Sequence, residues 1–202
     1  NEKEATDMLF DCISHDYGMQ VERTGNNLLC RTPHFSTSRP TILLNAHIDT
    51  VKPVSAWQRN PYTPTREGNR LYGIGSNDDG ASLVSLLQTF RTLYHTPLPC
   101  NLLFLASAEE EVSGHEGIEQ MIPLLPHIDV AIVGEPTGMQ PAIAEKGLMV
   151  LDVTEHGKAG HAARDEGDNA IYHALDDMQR IRNREWEKVS PLLGKVKTTI
   201  TI

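Results

Sequence analysis

The chain has 202 residues, of which 39% are hydrophobic, so it is long enough for one sizeable core or for one core with a smaller appendage. Its 27 acidic and 18 basic residues give a formal net charge of −9 at pH 7, which opposes binding to a nucleic acid backbone. The sequence contains no run of about 18 apolar residues and does not open with a signal sequence. We therefore expect neither membrane insertion nor export.

The three cysteines, Cys12, Cys30 and Cys100, are scattered without paired spacing. This usage predicts neither a disulfide framework nor a thiolate zinc site, and it favours a reduced, cytoplasmic location. The sequence starts without a methionine and stops inside the strand-like run TTITI at residues 198–202. We therefore expect the chain to be a piece of a longer protein.

Helices and strands are predicted to alternate along most of the chain. Helical spacing of apolar residues, or helix-forming composition, is found at 5–13, where Gly18 follows as a stop signal, at 82–94 and near 116–125. Extended or continuously apolar segments, typical of strands, are found at 27–31, 41–46 (TILLNA), 101–108 (NLLFLASA) and 128–134 (IDVAIVG). Continuous apolar runs predict strands that are buried on both faces. The alternation predicts an α/β fold with a mostly parallel sheet flanked by helices.

The pattern changes near Gly147. Apolar residues at 148–154 and the run at 198–202 predict two strands, and a helix is expected near 169–182 between them. This β-α-β order predicts that residues 1–147 form one domain and that residues 148–202 begin a smaller α+β domain.

Side chains that can bind a metal follow three of the predicted strands. His47 and Asp49 follow TILLNA, the triplet Glu109, Glu110 and Glu111 follows NLLFLASA, and Glu135 follows DVAIVG. Ligands of open α/β sheets bind beyond the carboxyl ends of the strands. The sequence therefore places one imidazole and several carboxylates where a ligand is expected.

The acidic triplet needs a physical explanation, because three adjacent carboxylates repel one another unless a cation or solvent stabilises them. A solvated surface turn explains most such triplets, but these acids follow a strand that is too apolar to face water. Two divalent ions about 4 Å apart would be held by such carboxylates and would activate a water. We therefore favour a two-metal hydrolytic site.

Two further positions remain ambiguous when they are considered alone. His47 and Asp49 point to one face of an extended backbone, so the carboxylate can orient a metal-binding imidazole, although a structural histidine explains the same pattern. Asp78 lies in GIGSNDDG, where it is either a helix cap in a turn or a metal ligand. A phosphate-binding loop is disfavoured, since Asp78 replaces its third glycine and would repel a pyrophosphate.

Five motifs together resemble the dinuclear zinc deacylases and exopeptidases, a family that includes acetylornithine deacetylase, succinyl-diaminopimelate desuccinylase and glutamate carboxypeptidases. They occur in that family's order and cover nearly the whole chain: LLNAHIDTV, YGIGSNDDG, SAEEEVSG, VGEPTG and GKAGHAARDEGDNA. The likeness is closest to acetylornithine deacetylase-like members. It implies a zinc exopeptidase-like catalytic domain, part of a lid domain that forms a homodimer, and two zinc ions per site. Cobalt or manganese are possible substitutes for zinc.

The resemblance also implies roles for particular residues. His47, Asp78 and Glu135 would hold one zinc, and Asp78 would bridge to a second zinc that also takes Glu111. Glu110 would be the general base. The peptide bond between Asp78 and Asp79 would be cis.

Two more catalytic roles come from the same resemblance. Asp49 would orient His47, and His161 would match a lid-domain histidine that helps to stabilise the oxyanion in the partner subunit's site. The family's second zinc also takes a histidine that follows the lid, and the chain ends before that segment. We therefore expect weak occupancy of the second metal position in this chain.

The expected function is a metal-dependent hydrolase that cleaves the amide bond of a small N-acyl amino acid. N-acetyl- or N-succinyl-ornithine in arginine biosynthesis is the favoured substrate, and no nucleic acid or membrane partner is expected. One alternative is a dipeptidase or a succinyl-diaminopimelate desuccinylase-type hydrolase. The other is a non-catalytic fragment with a role in assembly.

Overall fold

The computed structural model describes residues 2–161, 163–164 and 166–201, which form two compact units, one ending at Met139 and the other starting at Gln140. The first unit is an α/β fold. In chain order it contains α1 (Glu2–Asp11), β1 (Val21–Thr24), β2 (Asn27–Arg31), β3 (Thr41–His47), β4 (Thr65–Glu67), β5 (Arg70–Tyr72), α2 (Gly80–Leu93), β6 (Asn101–Ser107), α3 (Ile118–Met121) and β7 (Val130–Val133).

The main sheet has five strands in the order β1-β2-β6-β3-β7. Strands β6, β3 and β7 are parallel, whereas β1 and β2 add to the β6 side in antiparallel pairings. Strands β4 and β5 form a separate hairpin. The predicted α/β class with a sheet flanked by helices is confirmed, and the sheet is mixed. Its three parallel strands share one carboxyl edge, where the sequence predicts the side chains that can bind a metal.

The core lies on both faces of β6, the central strand, in which every residue is buried. Phe104 faces the side on which α2 packs with Phe90, while Leu103 and Leu105 face the side of Met121 from α3. Successive residues of a strand point to opposite faces, so a strand covered on both sides needs an unbroken apolar sequence. The predicted double coverage of β3 and β6 is confirmed.

The three helices predicted in the first unit are all present, and one of them is shorter than predicted. Helix α1 continues into a wider turn over Cys12–Asp16 and the chain then reverses at Gly18, whose φ of 64° favours glycine. The predicted helix near 116–125 is reduced to α3 and a tight turn over Ile122–Leu124. Pro123 lies in that turn, and its missing N–H explains why a regular helix does not continue.

Residues 128–134 are predicted to form a buried strand. The strand is present, but the prediction of its burial is wrong. Strand β7 forms there, but Val130, Ile132 and Val133 are 53%, 50% and 60% exposed. It is the edge strand of the sheet and pairs with β3 alone within the part of the chain that the structure describes. An apolar run predicts a strand, but it does not determine which other elements cover it.

The second unit contains α4 (Ala170–Arg182) and a short hairpin of β8 (Val189–Ser190) and β9 (Gly194–Lys195). The predicted helix near 169–182 is confirmed, and the Asn169 side chain caps it by accepting the Ile171 N–H at 3.0 Å. The domain boundary at residue 147 stays a prediction.

The strands predicted at 148–154 and 198–202 are corrected by the structure, since no strand forms at 148–154 or over the described positions 198–201. Leu148 is 88% exposed, so the apolar segment lies on the surface. A strand needs a neighbour to satisfy its N–H and C=O groups, and these two segments do not pair with each other. None of the described helices has the length and apolar character needed to cross a membrane.

Candidate metal centre

The register of the sheet places the ends of three strands side by side. His47 at the end of β3 is level with Ser107 of β6, and Asn45 is level with Val133 of β7. The Gly134 N–H continues this pairing by donating to the Asn45 carbonyl at 2.7 Å. The residues that follow these strands therefore leave the sheet from the same edge.

His47 is the buried centre of this edge, with 3% of its surface exposed. Its Nδ1 lies 3.0 Å from the Asp49 carbonyl oxygen, and its Nε2 lies 3.1 Å from Asp78 Oδ1. A carbonyl oxygen only accepts hydrogen bonds, so Nδ1 carries a proton, and Nε2 is the nitrogen that a metal ion would bind in place of a second proton.

The Asp49 carboxylate connects the histidine to the acidic triplet. Its Oδ1 lies 3.4 Å from His47 Nδ1 and accepts the Glu110 N–H at 3.1 Å, while Oδ2 accepts the Glu111 N–H at 2.9 Å. Burial alone would raise the pKa of Asp49, but the hydrogen bonds from His47 and from these two N–H groups lower it overall. Asp49 is therefore held as a carboxylate beside the imidazole.

Neighbouring charges and burial shift the pKa values of several residues in the site. The Asp49 carboxylate raises the pKa of His47 to about 10 against the opposing effect of burial, and Asp78 contributes in the same direction. The pKa of Glu111 is raised by burial and then by Asp78, and the pKa of Glu135 is raised by burial and then by Glu110. Carboxylates that repel one another in this way are stabilised by a cation.

Five of the predicted site residues come together in two donor groups that share His47. The first group is His47, Asp78 and Glu111, and the second is His47, Glu110 and Glu135. Within each group the ligand atoms lie within 4.8 Å of one another. This span is close to that of two metal–ligand bonds of about 2 Å each.

The loop that leads into α2 supplies Asp78. The Asp78–Asp79 peptide bond is cis, as the resemblance implies. Asp79 is buried, and its Oδ2 accepts the His47 N–H at 3.3 Å. A side chain at Gly134 would not fit, because a Cβ there would lie 2.4 Å from the Cβ of Ser82 in α2. Glycine at this position therefore allows the end of β7 to approach α2 just before Glu135.

Two contributors to this edge were not predicted from the sequence. Asp79 holds the backbone of His47, and Asn27, which is buried in β2, accepts the Ala108 N–H just before the acidic triplet. A single signal was available for Asn27, which is a polar residue at the start of the apolar run NLLC.

His161 belongs to the second unit, where it is exposed and its Nδ1 accepts the Ala163 N–H at 3.2 Å. Its role in stabilising an oxyanion stays a prediction.

The fold and the site together define a class, namely α/β proteins with a candidate divalent-metal centre at the carboxyl ends of parallel strands. Residues 43–194 match the family described as Peptidase family M20/M25/M40. The chain belongs to this family, and the resemblance stated from the motifs is confirmed.

Two relatives by sequence are both named acetylornithine deacetylase. The chain is 37% identical over 177 residues to acetylornithine deacetylase of Klebsiella pneumoniae (strain 342), an alignment that covers 82% of this chain and 45% of that protein. It is 34% identical over 182 residues to acetylornithine deacetylase of Salmonella paratyphi B, covering 83% of this chain and 46% of that protein. The chain thus spans less than half the length of these relatives.

Solved structures share the fold. A tripeptidase from Staphylococcus aureus superposes with a TM-score of 0.59 at 18% identity, covering 90% of this chain and 52% of that one. The aminopeptidase PepT from Bacillus cereus superposes with a TM-score of 0.54 at 19% identity, covering 87% of this chain and 50% of that one.

Proposed function

We propose that the full-length protein is a metal-dependent hydrolase that cleaves the amide bond of an N-acyl amino acid. N-acetyl- or N-succinyl-ornithine is the proposed substrate, with a place in arginine biosynthesis. The observation that carries the proposal is the convergence of one imidazole and four carboxylates in two overlapping groups of metal-competent side chains. The name acetylornithine deacetylase, carried by relatives that are 34–37% identical, supports the choice of substrate.

The side chains fit divalent metal ions. The two groups offer one imidazole and four carboxylates without a thiolate, a set that suits zinc and accepts cobalt or manganese. The carboxylates also bring excess negative charge to a buried histidine, which a cation would balance. His47, Asp78, Glu111 and Glu135 would hold the metal ions, two per site in the full-length protein.

Metal ions bound there would lower the pKa of a coordinated water and polarise the scissile carbonyl. Glu110 would accept a proton from the attacking water and deliver it to the departing amine, so that one carboxylate serves as base and then as acid. Asp49 fixes the imidazole of His47 and the backbone of Glu110 at once. This hold on the Glu110 backbone supports the proposed role of Glu110 in proton transfer.

Three further features of the full-length protein are proposed. Homodimerisation through the lid domain, and a role for His161 in stabilising the oxyanion, follow from the family resemblance. A cytoplasmic location is supported by three free cysteines, of which Cys30 is buried.

A substrate panel tests the proposal. The full-length protein is assayed with acetylornithine, succinylornithine, succinyl-diaminopimelate and dipeptides, before and after removal of metal by a chelator and after addition of zinc, cobalt or manganese. We expect deacylation of an ornithine derivative that is lost with the chelator and restored by metal. Faster cleavage of dipeptides would indicate the peptidase alternative, and no turnover with any metal would indicate a non-catalytic protein.

A further inference from the structure

The acidic triplet contains one member without a place in the candidate metal centre. Glu110 and Glu111 each belong to one of the two donor groups that the described residues form, whereas Glu109 belongs to neither group. Glu109 also has a φ of 56°, in the left-handed region that non-glycine residues rarely adopt. A strained backbone of this kind persists only where the surrounding contacts enforce it.

The contacts of Glu109 close the segment 108–117, which we call the acidic loop. The Glu109 Oε2 accepts the Glu116 N–H at 2.9 Å, and its carbonyl oxygen accepts the Gly114 N–H at 2.9 Å. A Cβ added to Gly114 would lie 1.9 Å from Glu109 Oε2, so the carboxylate lies directly against the glycine backbone. Glu109 therefore joins the start of the loop to its end.

A second side chain ties the same two ends. Asn27 Oδ1 accepts the Ala108 N–H at 2.9 Å, and Asn27 Nδ2 donates to the Glu116 carbonyl at 2.6 Å. At Gly117 an added Cβ would lie 2.2 Å from the Ala108 carbonyl oxygen, so the two ends of the acidic loop are in contact. The two ends of the acidic loop are thus joined by Asn27, a residue of β2, and by Glu109, a residue of the loop itself.

We propose that Glu109 is a positioning residue whose carboxylate closes the acidic loop and so fixes the directions of Glu110 and Glu111. These neighbours serve different donor groups, which requires a defined backbone at the end of β6. The Asp49 carboxylate accepts the N–H groups of Glu110 and Glu111. The hydrogen bond from the Glu116 N–H to Glu109 holds the end of the acidic loop against its start. The inference deepens the proposed function and rests on it.

Three variants of the full-length protein test this role. Glu109→Gln keeps a side-chain oxygen that can accept the Glu116 N–H, whereas Glu109→Ala removes it. Val112→Ala is the matched control, because Val112 lies on the same loop and is 72% exposed. Each variant is measured by calorimetric zinc titration, by kcat and KM for the substrate that the panel identifies, and by hydrogen exchange of the Glu110, Glu111 and Glu116 amides in the metal-free protein.

We expect Glu109→Ala to weaken zinc binding about tenfold, as loss of a group that supports metal ligands does. Its kcat should fall about ten- to hundredfold with a smaller change in KM, since displacement of a catalytic group slows the chemical step. The three amides should exchange faster. Glu109→Gln should stay within about threefold of the parent because a neutral acceptor keeps much of the hydrogen bond. Val112→Ala should match the parent.

Two outcomes overturn the inference. Parental zinc affinity and amide exchange in Glu109→Ala would show that the acidic loop does not depend on this carboxylate. Equal impairment in Glu109→Gln and Glu109→Ala would show that the charge acts and the hydrogen bond does not. Amide exchange needs neither metal nor turnover. It therefore tests whether Glu109 closes the acidic loop even if the parent protein hydrolyses no member of the panel.

Discussion

Asp49 and Glu111 are 62 positions apart in the sequence and are joined by a 2.9 Å hydrogen bond from the Glu111 N–H to Asp49 Oδ2. The other oxygen of the same carboxylate accepts the Glu110 N–H and lies 3.4 Å from His47 Nδ1. One buried carboxylate therefore sets the relative positions of the imidazole and of two acids in the loop that follows a different strand. Its importance lies in this connection as much as in the orientation of His47.

Replacement of Asp49 by asparagine should disturb both connections. An amide offers one acceptor oxygen where the carboxylate offers two, so the N–H of Glu110 or of Glu111 would face an NH₂ group. We expect zinc affinity to fall about 10- to 100-fold, as for other groups that orient metal ligands. Calorimetric titration with zinc measures the change.

Asp129→Asn is the matched control for that variant. Asp129 Oδ2 accepts the Thr41 N–H at 2.8 Å, which is a similar carboxylate-to-backbone bond at the opposite end of β3. This variant should retain parental zinc affinity. Equal losses in Asp49→Asn and Asp129→Asn would mean that general destabilisation, and not the metal centre, explains the effect.

Glu110→Gln tests the proposed base. The amide cannot accept the proton of the attacking water, so kcat should fall about 10²- to 10⁴-fold. Zinc content, measured by atomic absorption, should stay near parental, because Glu110 is proposed as the base and not as a ligand. Glu116→Gln, an exposed change on the same loop, should leave kcat unchanged. Unchanged hydrolysis by Glu110→Gln would remove this residue from the role.

Glu111→Gln should separate stability from metal binding. In the metal-free protein burial, and then the charges of Asp78 and Glu110, disfavour the Glu111 carboxylate more than His47 favours it. Removal of its charge should therefore raise the midpoint of thermal unfolding. The same change removes a proposed ligand, and zinc affinity should fall by about tenfold or more. Differential scanning calorimetry with and without zinc measures both effects. A lower midpoint without metal would show that the Glu111 charge does not destabilise the metal-free protein.

The sequence predicted the parts of the fold and site that depend on local pattern. The apolar runs of β3 and β6 predicted strands buried on both faces, and the polar residues at and just beyond their ends predicted that His47 and the acidic triplet lie at one edge. The choice of Glu110 and Glu111 within the triplet came from the family resemblance. The exposure of β7 and the missing strand at 148–154 could not be predicted, because burial and pairing depend on which other segments are present. The role of Asn27 could not be predicted for a related reason, since the residue that it binds, Ala108, is 81 positions away in the sequence.

Phe104→Ala should destabilise the first unit strongly. Phe104 is fully buried in the central strand and packs against Phe90 with ring centroids 6.1 Å apart. Loss of a buried phenylalanine side chain costs about 3–5 kcal/mol of unfolding free energy. Ile132→Ala on β7 is the control, because half of that side chain is already exposed and its loss should cost about 1 kcal/mol or less. Urea unfolding measures both, and similar losses would contradict the burial seen here.

The second unit contains an ion pair that should make its stability depend on pH. His173 Nε2 in α4 contacts Asp168 Oδ1, and Asp168 also pairs through its backbone with Lys158. The hydrogen bond to Asp168 raises the pKa of His173, with smaller contributions from Glu155 and Asp176. These three carboxylates favour the charged form of His173 against the opposing effect of burial.

The sign of the pH effect follows from that raised pKa. An imidazolium that is favoured in the folded state stabilises the fold below the unfolded pKa of about 6.5, and this contribution is lost as pH rises through the higher folded pKa. Stability of the second unit should therefore decline over this interval in the parent and less in His173→Gln. NMR titration should place the pKa of His173 above about 6.5, and Asp168→Asn should lower it. A pKa at or below that value in the parent would show that the pair does not form in solution.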